Sequence, residues 1–252
     1  SIKKPGGEFR AKEADGVLNA LHEFLSFACG RWTTPILAIG FNQGGESIWE
    51  EWGMRLVSPW KPVLSWFDWH HGPELCSLFP GFVRRWDDPA WRSTISTAIY
   101  WYLRGNLGAG PDGGIILAQA ALERLAWMLL VEHKGCLSGD GFRRLPDSDW
   151  LRLLLADVGV PLTLPTGLGA MTKVAAGLGW KDGPDAIAGV RNYLVHACRK
   201  TKDMPFVEAW RLTQFYLELV LLRLFDYSGT FGNRCGPLPR RIGQVESVPW
   251  AQ

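Results

Sequence analysis

Apolar residues recur at helical spacing almost without a break from Asp88 to about residue 228, and this pattern sets the fold class. Asp88 is a good helix N-cap, and Pro89 suits the first turn of the helix that follows. The connectors are short and rich in glycine and proline, as between antiparallel neighbours in a bundle. We predict helices over residues 89–104, 113–134, 148–158, 167–178, 184–199 and 205–227. The sequence therefore predicts a mainly α fold built on a helical bundle.

A smaller region of mixed α and β structure precedes these helices. The stretch EADGVLNALHEFLSFACG has helical spacing and stops at Gly30. The stretches TTPILAIGF and ESIWEEWGMRLVSPW flank a polar segment at 42–45, which predicts a strand-turn-strand unit. Four prolines predict irregular or short extended structure over residues 59–82.

The chain is expected to divide into three parts. These are an α+β region at 1–88, the helical bundle at 89–232 and a C-terminal tail at 233–252. The tail contains one predicted strand at 241–248, which we expect to fold back onto the N-terminal strands. Because the chain begins with Ser1 and no signal peptide follows, we expect a fragment whose first region ends a larger sensing domain.

Composition restricts the cellular compartment and the possible partners more than it restricts the activity. The formal net charge of +2 does not by itself indicate a nucleic-acid partner, so any basic surface must be local. Arg199, Lys200 and Lys202 form one such run and are weak candidates for RNA contacts, with a solvated surface as the alternative. Five scattered cysteines without a C-x-x-C pair favour reduced thiols in the cytoplasm over a zinc ribbon or disulfide framework. The most apolar window, FYLELVLLRLFDY, is too short and too charged to span a bilayer.

The segment DGPDAIAGVRNYLVHACRK places Arg191, Asn192 and His196 on a helix that is otherwise apolar. An imidazole titrates near neutrality and can move a proton, while a guanidinium forms a planar fork for phosphate oxygens. The amide of Asn192 can orient either group. With RNA as substrate, the 2′-hydroxyl is the nucleophile, so this chemistry needs neither a metal nor a cofactor.

Helix geometry alone does not bring the arginine and the histidine together. On a regular helix Arg191 and His196 differ by about 140° and ~7.5 Å of rise, whereas Asn192 and His196 share a face. Either Arg191 curls round the helix, or the helix is irregular, or a second copy of the chain completes the pair. The broad apolar faces of the helices around residues 115–131 and 206–225 allow two explanations: a central place in the bundle, or contact with another subunit.

The motif Arg191-Asn192-Tyr193-Leu194-Val195-His196 resembles the R-N-x3-H signature of HEPN domains, the all-helical modules of many RNA-targeting toxins and prokaryotic defence proteins. The stretch DGGIILAQAALERLAW is similar to the second helix of HEPN proteins of the abortive-infection, anti-phage type. The resemblance covers about residues 89–228 and implies a dimeric, metal-independent endoribonuclease. It implies that Arg191 binds the scissile phosphate, His196 transfers protons and Asn192 positions one of them.

The resemblance also implies products with a 2′,3′-cyclic phosphate and a 5′-hydroxyl. Glu123 is a weaker expectation: its carboxylate orients Arg191 or His196, or it forms an ordinary surface pair. Two alternatives stay open beside the nuclease. One is a catalytically inactive HEPN module for dimerisation or for binding nucleotide or RNA, and the other is a helical scaffold whose motif match is accidental.

Three further features of the sequence are less specific. GNLGAGPDGG at 105–114 lacks the Gly-Lys-Ser/Thr ending of a phosphate-binding loop and follows a predicted helix, which indicates a helix connector. DWHHGPELC matches no zinc-site spacing, so no metal site is predicted. Seven of the 14 tryptophans crowd the N-terminal region, where they fill a small core or form a surface that recognises RNA or a trigger ligand.

Overall fold

The computed structural model describes Gly7 and residues 10–53, 55–61, 63–196, 203–236 and 242–251. Within these residues the fold is mainly α, with a small strand-turn-strand unit near the N-terminus, as the sequence predicts. The helices are α1 (Ala11–Cys29), α2 (Pro73–Asp87), α3 (Pro89–Asn106), α4 (Gly110–Ala126), α5 (Gly139–Arg143), α6 (Asp147–Asp157), α7 (Gly169–Leu178), α8 (Gly183–Val195) and α9 (Phe206–Leu224). A π-helical segment, Trp127–His133, continues α4. The strands are β1 (Ala38–Phe41), β2 (Ser47–Glu51), β3 (Thr230–Phe231) and β4 (Glu246–Ser247).

Helices α4 and α9 form the centre of the bundle. Helix α4 contacts α3, α6, α8 and α9, and α9 also contacts α2, α7 and α8. All but a few side chains of α9 are buried, including polar Thr213, Gln214 and Glu218. The broad apolar face of α9 is therefore covered within its own chain, so it supplies no argument for a second subunit.

The prediction of irregular structure over 59–82 is wrong from residue 73 onward, where α2 begins. Pro73 occupies the first turn of α2, where its missing N–H costs nothing. Pro80 lies inside the helix, but Phe82 packs against Phe24 and Phe225 in the core. Burial of these rings outweighs the hydrogen bond that a proline removes.

The C-terminal strand is also placed differently from the prediction. Within 241–248 the strand β4 is two residues long, and it pairs antiparallel with β3 rather than with the N-terminal strands. Strands β1 and β2 pair only with each other in the described structure, across a turn in which Gly45 has a φ of 82°.

A buried ion pair joins the tail to the bundle. Arg234 and Glu218 are 0% and 1% exposed, and the Arg234 Nη2 lies 2.5 Å from the Glu218 Oε1. The Tyr102 hydroxyl and the Trp66 backbone N–H both donate to the same carboxylate. A charge pair without water is tolerated only when its remaining polar atoms are bonded in this way.

The N-terminal region shares the core of the bundle. Phe27 packs against Tyr102 and Phe225, and Trp66 is fully buried beside Phe27. By contrast, Trp52, Trp60 and Trp69 are largely exposed. Some of the N-terminal tryptophans therefore fill the core and others are exposed, and a recognition role for the exposed ones stays a prediction. The boundaries at 88 and 232 stay predictions, although packing is continuous across both.

One helical stretch among the described residues, Gly110–His133, is long and apolar enough to span a membrane. Of its most apolar window, 61% is buried inside the fold. A core helix passes the same test of length and composition, so the finding is weak support for a membrane segment.

Candidate functional site

Helix α8 carries the R-N-x3-H motif and is fixed at its start by α6. The Asp182 carboxylate caps α8 by accepting from the Asp185 backbone N–H. The Arg152 guanidinium of α6 bonds both Asp182 and Asp185, with its Nε 2.7 Å from the Asp182 Oδ2. The hydrogen bonds that Arg152 donates to the Asp182 carboxylate raise the pKa of Arg152, so the guanidinium stays charged over the working pH range.

At the other end of α8, Arg191 is held by the first residue of α6. Its Nη1 lies 3.6 Å from the Asp147 Oδ2, and the two side chains are 39% and 38% exposed. The same Nη1 donates to the Asn192 Oδ1 at 3.4 Å, so the motif amide contacts the motif arginine. Arg191 is thus oriented but still reachable from solvent.

Glu123 of α4 lies within the electrostatic reach of Arg191, and its predicted orienting role stays a prediction. Partial burial raises the pKa of Glu123, the charge of Asp147 raises it further, and the Arg191 guanidinium opposes both. Asp147 therefore pairs with Arg191 directly, whereas Glu123 interacts with it through charge, without a hydrogen bond or ion pair among the described contacts. We call Glu123, Asp147, Arg191 and Asn192 the arginine cluster. It can hold a guanidinium in one direction and accept a single anionic oxygen at its exposed side.

His196 follows the last residue of α8. Its backbone is extended (φ −106°, ψ 109°), and its N–H donates to the Asn192 carbonyl oxygen at 3.2 Å. Its side chain is exposed. No contact between His196 and Arg191 is found in the described structure. The helix ends at Val195, earlier than the predicted helix over 184–199, and this irregularity does not bring His196 into contact with Arg191 among the described contacts.

The weak RNA-contact residues Arg199, Lys200 and Lys202 lie outside the described residues. No group of three or more His, Cys, Asp or Glu side chains in the described ranges can hold a metal ion. In the DWHHGPELC segment, Glu74 instead accepts hydrogen bonds from Tyr227 and Thr230.

Sequence reasoning missed Asp147 as a member of the site. It lies 44 positions before Arg191, and the antiparallel packing of α6 on α8 brings the two together. The stretch PDSDW did mark a helix start rich in carboxylates, but nothing local shows which cation such a group faces.

Comparisons with known proteins place the chain in a family. A family model of the YopA C-terminal domain matches residues 88–246, and a model of the YopA central domain matches residues 2–63. The SPbeta prophage-derived uncharacterized protein YopA of Bacillus subtilis (strain 168) is 28% identical over 248 residues. That match covers 96% of the chain and 55% of the relative, so the chain spans about half the length of this relative. No solved structure matches the chain significantly. The resemblance to HEPN domains stays a prediction.

Proposed function

The chain belongs to the family of the YopA C-terminal domain, and we propose that it is a metal-independent endoribonuclease of a defence or toxin system. The observation that carries the proposal is the arginine cluster, which holds Arg191 and Asn192 together at one end of α8. The exposed imidazole of His196 begins the segment that leaves the same helix end. A phosphate-binding group and a proton-transfer group are thus both presented to solvent within six residues.

The proposed reaction uses the RNA itself as nucleophile. The ribose 2′-oxygen attacks the adjacent phosphorus, a base removes the hydroxyl proton, and the bond from phosphorus to the 5′-oxygen breaks with protonation of that oxygen. His196 carries the proton transfer, and Arg191 neutralises the extra charge on the phosphoryl oxygens. Asn192, Asp147 and Glu123 position Arg191. The products carry a 2′,3′-cyclic phosphate and a 5′-hydroxyl, so atoms and charges balance without a cofactor.

The proposed active form is a homodimer in which two α8 ends face each other. Within one chain, Arg191 is turned toward Asp147 while the chain leaves the helix at His196. A second copy would bring a histidine to the exposed side of each arginine. A prophage-derived relative is compatible with a cytoplasmic role in phage–host conflict, and the reduced cysteines inferred from the sequence suit that compartment.

The test is cleavage of single-stranded RNA in the presence of EDTA. The parent should cleave, and Arg191→Ala and His196→Ala should each lower the rate by about a hundredfold or more. Control variants are Arg143→Ala, which removes an exposed arginine paired to Asp140, and His70→Ala, which removes an exposed histidine. A substrate with 2′-deoxy sugars should resist cleavage. Cleavage that needs a divalent metal, or that survives both motif substitutions, would overturn the proposal.

A second candidate function is favoured by one observation. Arg191 already has protein partners, and it makes no contact with His196 among the described contacts. This arrangement fits a catalytically inactive HEPN-like module that dimerises or binds nucleotide or RNA. A parent that binds RNA and cleaves none of a broad RNA panel would select this alternative.

A further inference from the structure

A row of flat side chains lies on the surface formed by α1, α3 and the segment after α1. The His22 imidazole stacks on Trp32 with ring centroids 5.4 Å apart and planes 13° apart. Trp32 faces Tyr100 at 6.1 Å, and the Arg104 guanidinium lies 6.0 Å from the centre of the Tyr100 ring. We call these four residues the aromatic row. From one end to the other, it contains the rings of His22, Trp32 and Tyr100 and then the planar guanidinium of Arg104.

The row ends at a cavity of about 340 Å³. Its lining residues come from α3, the α3–α4 connector and α4: Tyr100, Arg104, Leu107, Gly108, Ala109 and Leu117. Pockets for small ligands begin at ~300 Å³, so the cavity has room for one small planar group with its substituent. The connector belongs to the GNLGAGPDGG stretch, which the sequence predicts to be a helix connector rather than a phosphate-binding loop.

The groups at the cavity mouth are accessible and are not used by the fold. Tyr100 is 45% exposed, and Arg104 is exposed as well. Across the described part of the chain, Arg104 forms no hydrogen bond or ion pair, and its recorded contact is with the Tyr100 ring. An arginine stacked on a tyrosine beside apolar Leu107 and Leu117 offers a base-stacking face and an anion-binding fork together.

The inner half of the row is tied to the fold by a hydrogen bond and by partial burial. The His22 Nδ1 lies 3.1 Å from the Thr33 carbonyl oxygen, and burial lowers the pKa of His22, which keeps the ring neutral. Trp32 is half-buried between His22 and Tyr100. A preformed stack loses little entropy when a further ring is added to it.

We propose that this cavity binds one unpaired nucleotide, with its base against the Tyr100 ring and its phosphate at the Arg104 guanidinium. The inference rests on the proposed function for its choice of RNA, and it names a subsite outside the arginine cluster. Leu117 and Glu123 lie on α4 six residues apart, a rise of ~9 Å, so the two sites share one helix.

The experiment measures binding without cleavage. A fluorescent single-stranded RNA oligonucleotide with 2′-O-methyl sugars lacks the attacking hydroxyl, so fluorescence anisotropy reports affinity alone. Tyr100→Ala and Arg104→Ala should each raise the Kd at least about fivefold, the lower limit for losing one stacked base. Tyr100→Phe keeps the ring and should stay within about twofold of the parent.

Two control variants are Phe41→Ala, an exposed aromatic on β1 outside the row, and Arg143→Ala, an exposed arginine on α5. Both should bind like the parent. The replaced side chains at positions 100 and 104 are exposed, so circular dichroism should show native folding for all variants. A Tyr100→Ala protein that binds within twofold of the parent, or a parent that binds nothing, would overturn the proposal.

Adenosine monophosphate as competitor separates two sources of the same ligand chemistry. Displacement of the oligonucleotide shows that a free nucleotide fills the cavity, and binding of the oligonucleotide alone shows that the strand is needed; both support the subsite. Cleavage assays on ordinary RNA separate this inference from the proposed function. If binding does not depend on Tyr100 while cleavage depends on His196, the subsite is wrong and the nuclease stands. If binding depends on Tyr100 while cleavage does not depend on His196, the nuclease is wrong and the subsite stands.

Discussion

Arg191 lies 3.6 Å from Asp147, and this contact ties the motif helix α8 to the start of α6. Both side chains are more than a third exposed, so the pair adds little to folding stability, about 0–1 kcal/mol. Its main effect is instead to fix the direction in which the Arg191 guanidinium points.

Asp147→Asn should therefore separate stability from activity. We expect the free energy of unfolding to change by less than about 1 kcal/mol, because the pair is exposed. RNA cleavage should fall by about ten- to a hundredfold, because Arg191 loses its fixed direction. Asp140→Asn, which breaks an exposed pair with Arg143, is the matched control. Equal cleavage by the two variants would remove Asp147 from the site.

Mixing two inactive variants tests the proposed composite cleft. Arg191→Ala and His196→Ala proteins should each be inactive, and their mixture should regain part of the parent rate. One arginine and one histidine from different copies would then meet in a mixed dimer. Size-exclusion chromatography with light scattering should show a dimer for the parent. A monomer with full activity would place the whole reaction in one chain.

The sequence predicts the helices well where burial and capping agree. Asp88 and Pro89 start α3 where the sequence predicts it, and α8 begins at Gly183, one residue before the predicted start. It fails at α2, because two prolines argue against a helix that is stabilised by packing of Phe82 on distant Phe225. Such contacts have no local signal.

The residues of the arginine cluster also divide into those that the sequence indicates and one that it does not. Arg191 and Asn192 are neighbours in sequence and contact each other, and Glu123 does lie in the electrostatic field of Arg191. Asp147 was missed because its part depends on the antiparallel packing of α6 on α8. The roles of all these residues in catalysis stay predictions.

Gly81 allows a test of how α2 packs on the chain after α9. A Cβ at this position would lie 1.7 Å from the Phe225 carbonyl oxygen, so Gly81→Ala forces the backbone apart. We expect a loss of about 3 kcal/mol in the free energy of unfolding, measured by urea denaturation. Gly16→Ala in α1 is the control, because a Cβ there meets nothing within 4 Å. It should gain about 0.5–1 kcal/mol from helix propensity. Similar changes in the free energy of unfolding for both variants would show that α2 does not pack closely on Phe225.

Glu218→Ala tests the buried ion pair. Removal of the carboxylate leaves Arg234 charged and without its counter-ion in the core, which should cost about 3–5 kcal/mol. Glu218→Gln keeps an acceptor for Tyr102 and should cost less. Asp157→Ala, which removes the partially exposed partner of Lys134, should cost less than about 1 kcal/mol. Equal losses in the free energy of unfolding for Glu218→Ala and Asp157→Ala would show that the buried pair stabilises the fold no more than the partially exposed pair does.

Glu23 should make stability depend on pH. Burial raises the pKa of Glu23 to about 7, although the Ser96 hydroxyl donates to its Oε1, and the Oε2 is buried without a partner among the described atoms. The folded state binds the proton more tightly than the unfolded chain. The stabilisation is therefore complete below about pH 4.5 and is lost as the pH rises to about 7, an effect of about 1–3 kcal/mol.

Glu23→Gln mimics the neutral acid and should be more stable than the parent at pH 8 but not at pH 4. His22 titrates nearby in both proteins, so the difference between their urea midpoints across this range isolates Glu23. Parallel pH profiles for the two proteins would show that Glu23 ionises normally in the folded state.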